Sequence, residues 1–125
     1  YFMSKFNKCI GFYGEDLASS YLKSKGYYIL DKNFKNKYGE IDLICRHDGL
    51  IIFVEVKSRY NYNYGLPCEA VTYSKQRQII NLCKFYLLTR KLFDYNCRFD
   101  VVEIYFNKNN ESYILQHTKD AFRGY

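Results

Sequence analysis

Asp42, Glu55 and Lys57 are the residues whose types and spacing could do chemistry. They lie in GEIDLICRHDGLIIFVEVKSR, residues 39 to 59, a stretch otherwise so apolar that an acid within it is costly to bury without a partner. Asp48-Gly49 is the dipeptide preferred in a two-residue type I′ turn, which fixes the register of the strands on either side. Counting outward from His47 opposite Leu50 sets Ile44 against Phe53, Asp42 against Glu55 and Glu40 against Lys57. Opposed residues project to one side of a sheet with Cβ atoms about 5 Å apart, so the two acids converge and repel. A divalent cation or the Lys57 ammonium must offset them. The two-residue period sends Glu55 and Lys57 to the same face and Val56 to the other. A magnesium ion takes one or two carboxylates and keeps several waters. A lysine beside it could orient or deprotonate an attacking water, or neutralise charge on a phosphate under attack. That layout suits phosphodiester hydrolysis. The plain alternative is a salt-bridge cluster, with Glu40 on Lys57 and Glu55 paired elsewhere.

The elements that must position these residues follow from periodicity and punctuation. A helix is expected from about Phe6 to Lys25, ended by Gly26. Ile10, Gly14, Leu17, Ala18 and Tyr21 share one face of it, with Gly11, Glu15 and Leu22 along the edge, and the two glycines point to close backbone packing. YYILDKNFK at 27 to 35 reads as a strand, followed by the hairpin. SKQRQIINLCKFYLLTRK at 74 to 91 carries the helical stripe Ile79, Ile80, Cys83, Tyr86 and Leu87. CRFDVVEIYF at 97 to 106 and SYILQH at 112 to 117 read as strands separated by the turn-like NKNNE. The order predicts an α/β domain with a mixed sheet flanked by a helix on each face.

The chain has 125 residues, 48% of them hydrophobic, and one proline, which excludes a disordered class and leaves room for one domain. Tyr1 and Phe2 precede the first methionine and are read as a non-native remnant, so the domain is taken as residues 3 to 125. No apolar run reaches a membrane span and the first residues lack the blocks of a secretion signal, so a cytoplasmic protein with no membrane association is expected. Five cysteines without a C-x-x-C pair indicate neither a disulfide framework nor a zinc site, and Cys45, Cys83 and Cys97 are read as small buried hydrophobes. A net charge of +6 favours polyanionic partners, although the abundance of Lys, Asn, Tyr and Ile also reflects AT-rich codons.

The spacing D-x12-E-x-K, as Asp42, Glu55, Val56 and Lys57, resembles the PD-(D/E)xK motif of restriction-endonuclease-like nucleases. The blocks GFYGEDLASSYLKSKGYYIL, NFKNKYGEIDLI, FVEVKSR, YGLPCEAVTYSKQRQI and CRFDVVEI resemble, in order, the YraN-like family of small bacterial proteins, from about Gly11 to Ile104. The resemblance implies an αβββαβ core similar to that of archaeal Holliday junction resolvases. It implies Asp42 and Glu55 as ligands of Mg2+ or Mn2+, the Val56 carbonyl as a third, and Lys57 as the catalytic lysine. Glu15 matches the first-helix acid placed next to the metal in similar nucleases, and Gln76 a polar position on the second helix. Ile41 stands where the named motif has proline, which donates no ligand.

Around this site Arg59, Tyr60, Tyr62 and Tyr64 offer phosphate contacts and aromatic platforms for unpaired bases. Lys75, Arg77 and Lys84 could follow a DNA backbone or form a wet helix face. Arg98 and Asp100 share a strand face as an ion pair, and His47 and His117 receive no role. The expected function is therefore a divalent-metal-dependent DNA endonuclease, selective for branched or single-stranded DNA and a candidate homodimer. The alternative is a non-cleaving nucleic-acid-binding or interaction protein on the same fold.

Overall fold

The apolar run that makes residues 39 to 59 conspicuous is buried from both sides. The computed structural model describes residues 2–60, 71–107 and 112–123, with side chains from residue 13 onward. In chain order the elements are α1 (Phe2–Ser24), β1 (Tyr28–Asn36), β2 (Gly39–His47), β3 (Leu50–Tyr60), α2 (Tyr73–Thr89), β4 (Asn96–Phe106) and β5 (Tyr113–Phe122). The strands form one sheet in the order β1-β2-β3-β4-β5. All neighbours are antiparallel except β3 and β4, which run parallel because α2 carries the chain across between them.

Strand alternation explains why a helix lies on each face. On β3, Ile51 and Phe53 belong to the apolar cluster containing Ile79, Leu82 and Tyr86 of α2. Ile52 and Val54 belong to the cluster containing Ala18 and Leu22 of α1. A strand buried on both faces reads as a near-continuous apolar run, as this one does. On α1 the buried residues are Gly14, Ala18 and Leu22, with Ser19 beside them and Leu17 and Tyr21 only partly covered, so the inward face is turned slightly from the expected one. Leu82, outside the expected stripe of α2, is also buried. Thr72 caps α2 by accepting the Lys75 N–H, and the helix is tied to the sheet edge by the Tyr86 hydroxyl donating to Asp31 at 2.6 Å.

The hairpin turn forms as read, with Asp48 and Gly49 at φ 51° and 77° and His47 opposite Leu50. The ladder then stops earlier than expected. β2 and β3 pair only from His47 and Leu50 to Leu43 and Val54. Beyond that point β2 stays with β1 down to Gly39 opposite Asn36, while β3 stays with β4 up to Tyr60 opposite Phe106. The two central strands therefore fork. The Asp42 carboxylate accepts the Val56 N–H at 2.7 Å, a bond from side chain to backbone at the point where the two main chains part. The side-chain phase of β2 slips at the same place, since Ile41 and Ile44, three residues apart, both reach the α2-side cluster.

Smaller differences are physical too. α1 starts four residues earlier than the periodicity indicated and β5 extends to Phe122. Of the three cysteines read as buried, Cys45 and Cys83 are, but Cys97 is exposed because it stands at the start of β4, before the core begins. Cys45, Cys83 and Cys97 are free thiols. Cys68 and the Cys9 side chain lie outside the described residues. Among the described residues no helix is long and apolar enough to cross a membrane.

Candidate active site at the strand fork

The fork gathers three carboxylates from three elements. Glu55, on β3, is 8% exposed and faces α2, because its neighbours Val54 and Val56 point to the α1 side. Its side chain is hydrogen-bonded to Asp42 of β2, and Lys75 Nζ of α2 stands 3.5 Å from its Oε2. Burial first, and then the bond to Asp42 and the Asp42 charge, push the Glu55 carboxyl up to about 8, with Lys75 pulling the other way. Two carboxylates in hydrogen-bond contact need a proton or a cation between them. Glu15 enters from α1 and comes close to Asp42. Burial, then the Asp42 charge, raise its carboxyl as well. Asp42 is thus the link between an acid from the α1 face and an acid from the α2 face, which only an open fork permits.

Lys57, half-buried, lies two residues beyond Glu55 on the same strand face. Its register partner across the parallel pair is Glu103, 2% exposed, which accepts the Tyr105 hydroxyl at 2.8 Å. Glu40, expected opposite Lys57, instead sits 3.9 Å from Lys35 in an exposed pair, because β2 has followed β1. The half-buried Val56 contributes its N–H to Asp42. Gln76 points its Nε2 at the Val71 carbonyl, 2.9 Å away, satisfying backbone at the entry to α2.

Lys75, read as tracking a DNA backbone or lying on a wet helix face, stands at Glu55, because the Thr72 cap places it in the first turn of α2, beside the fork. Arg77 and Lys84 are exposed on the same helix and Arg59 is half-buried on β3. Tyr62 and Tyr64 lie outside the described residues. Arg98 and Asp100 do pair, at 2.8 Å, but Asp100 projects to the α1 face, opposite to Glu55, and joins His117 at 2.7 Å. His117 thus has a partner that sequence reasoning did not find, since the acid lies 17 residues away. Glu103 was missed too, because its importance comes only from its place beside Lys57.

Among the described residues, no group of three or more Asp, Glu, His or Cys side chains already surrounds a common metal position. The donor set nevertheless fits a hard cation that uses one or two carboxylates, since Asp42 and Glu55 are oxygen donors in contact whose mutual repulsion such an ion relieves.

The forked mixed sheet with a helix on each face is a restriction-endonuclease-like α/β fold. The chain belongs to UPF0102, the YraN family: the profile described as "Uncharacterised protein family UPF0102" matches residues 14–104. UPF0102 proteins of Clostridium botulinum (strain Eklund 17B / Type B) and Clostridium perfringens (strain 13 / Type A) are each 54% identical over 121 residues, covering 97% of this chain and 99% of theirs. A UPF0102 protein of Clostridium acetobutylicum is 47% identical over the same span. The solved structure of Pyrococcus furiosus SfsA in complex with Ca2+ is similar at a TM-score of 0.43 and 14% identity, over 90% of this chain and 63% of that one. A likeness that loose bears on no residue of the site.

Proposed function

We propose that this protein is a divalent-metal-dependent endonuclease that hydrolyses phosphodiester bonds in DNA, with branched or single-stranded DNA as its preferred substrate. The observation that carries this reading is the contact between the Asp42 and Glu55 carboxylates at the fork, with Lys57 on the same strand face as Glu55. Asp42 and Glu55 would hold Mg2+ or Mn2+, with the Val56 carbonyl and Glu15 completing the donor set. When bound, the ion supplies Lewis-acid polarisation of the phosphate and a lowered pKa for the attacking water.

The remaining work falls to the chain. The Asp42 carboxylate is oriented by the Val56 N–H, so one of its oxygens is already committed and the other side is left toward its fellow acids. Lys57 places an ammonium where it can hold the attacking water or meet the charge that grows on the phosphate. Lys75 stands 3.5 Å from the Glu55 carboxyl and can turn toward a phosphate when that carboxylate is met by another cation. Arg59, Arg77 and Tyr62 are the proposed contacts to the nucleic acid, and the net charge of +6 supports a polyanionic partner. Gln76 serves the site indirectly, by holding the start of the helix that carries Lys75.

The test is cleavage of labelled single-stranded, duplex, flap and four-way-junction DNA in Mn2+ and in chelator, with Glu55→Gln alongside. Cutting that needs the metal and disappears in the variant is the expected result, and its pattern across substrates identifies the preferred structure. Unchanged cutting by the variant would sink the assignment. One observation favours the second reading, a non-cleaving DNA-binding protein: Lys75, 3.5 Å from Glu55, offsets part of its charge without any ion. Metal-independent binding at low salt, with no substrate cut, would select it.

A further inference from the structure

Strand register carries the proposed active site outward onto an exposed face of the edge strand β5. Three cross-strand rows start on β3 and end on β5: Glu55 with Val101 and Thr118, Lys57 with Glu103 and Gln116, and Arg59 with Tyr105 and Ile114. Residues in register project to one side of a sheet. Val101 packs in the α2-side cluster, so the rows lie on the face that α2 occupies. The alternate residues of β5 point the other way, since Leu115 packs with the α1-side cluster and His117 meets Tyr21 of α1. α2 begins beside Glu55, and at the far end of the rows Thr118, Gln116 and Ile114 are all exposed, Ile114 to 64%. Both acids of the rows, Glu55 and Glu103, are buried, whereas Lys57 and Arg59 are only half-buried.

We propose that Ile114, Gln116 and Thr118 form a subsite for the nucleotides next to the phosphate under attack, and that this subsite takes an unpaired DNA strand. The cations at the head of the rows attract the backbone, and the acids that would repel it are buried beneath the surface. Two strand spacings set Gln116 about 10 Å from Lys57 along its row, the reach of roughly one or two nucleotides. Ile114 offers an apolar surface for the face of a base, and the Gln116 amide and Thr118 hydroxyl offer donors and acceptors for its edge. A base presents its face only when it is out of the duplex stack, which selects a single strand or the unpaired arm of a branch. The inference rests on the nuclease reading above and adds to it where the strand lies and why it is unpaired. If β5 merely closed the sheet, its exposed side chains would be interchangeable.

The experiment measures binding of labelled single-stranded and duplex DNA to the whole protein in chelator at low salt, with cleavage in Mn2+ as a second readout. Ile114→Ser and Gln116→Ala alter exposed side chains, so each is expected to melt within a few degrees of wild type. Combined, they should weaken single-stranded binding about tenfold and leave duplex binding within about twofold of wild type. Leu88→Ser, at an exposed apolar residue of α2, is the control and should change neither. An abasic site placed about one or two nucleotides from the cut should slow wild-type cleavage about fivefold and slow the double variant no further. Single-stranded binding equal to wild type in the double variant, or a loss shared equally by duplex, would overturn the subsite. A wild type that cuts nothing would remove the nuclease reading alone, because the metal-free binding comparison still decides the subsite.

Discussion

Asp100 and Glu55 are buried acids on adjacent strands, and their surroundings are opposite. Asp100 receives Arg98 Nε at 2.8 Å, Arg98 Nη2 at 2.9 Å, His117 Nε2 at 2.7 Å and the Asp120 N–H at 3.0 Å. Its partners are held in turn, since Arg98 Nη2 also donates to the Tyr27 hydroxyl and the Tyr21 hydroxyl meets His117 Nδ1. Burial pushes the Asp100 carboxyl up, but bonds from His117, Arg98 and Asp120 outweigh it and leave it below its ordinary value. Glu55 is raised instead, because burial is joined by another acid and only Lys75 opposes. An acid whose oxygens are saturated by donors holds the fold together. One left facing its own kind stores a demand for a cation, and that is the mark of a site.

Breaking the saturated acid should have the largest effect. Asp100→Ala strands a half-buried guanidinium and a buried imidazole, a loss of about 3–5 kcal/mol. That corresponds to a fall in melting temperature of more than roughly 10 °C, and a melt within a few degrees of wild type would refute the contrast. Glu55→Gln should act in the other direction. Between the ordinary value of 4.5 and about 8, folding wild type takes up a proton that the unfolded chain has released, so its stability falls as pH rises through that window. Glutamine does not titrate. The variant should match wild type near pH 4.5 and then gain about 1.4 kcal/mol for each pH unit the folded glutamate stays protonated, an upper bound that thermal melts at pH 5, 6.5 and 8 measure in metal-free buffer. The smallest effect belongs to the Lys75–Glu55 pair, which is partly open to solvent. A double-mutant cycle with Lys75→Met and Glu55→Gln, measured above pH 8 where Glu55 is ionised, should give a coupling of about 0.5–1 kcal/mol that shrinks in high salt.

The parts of this arrangement that are local were legible in the chain. Asp48-Gly49 specified the turn, and with it the register from His47 to Leu43. The E-x-K period placed Glu55 and Lys57 on one face, and the stripes of the two helices identified most of the buried residues. What could not be read depends on competition between distant segments. The fork arises because β1 holds β2 beyond the point where β3 leaves it, and no residue of the hairpin alone announces that. Lys75 looked like a wet-face cation because a first-turn side chain can lean either way until the helix is docked. His117 looked idle because its partner Asp100 is on the neighbouring strand.

Gly14 carries a final consequence. A Cβ there would lie 1.8 Å from Ser58 Oγ and 3.0 Å from Ser58 Cβ, so α1 rests on β3 with nothing between them. The next residue along the helix is Glu15, and its height above the sheet is inherited from that contact. A single methyl at position 14 would work as a shim, tilting the helix and lifting the acid clear of Asp42 while leaving every proposed ligand in the sequence. The reach of this site is therefore gauged by an atom the chain does without.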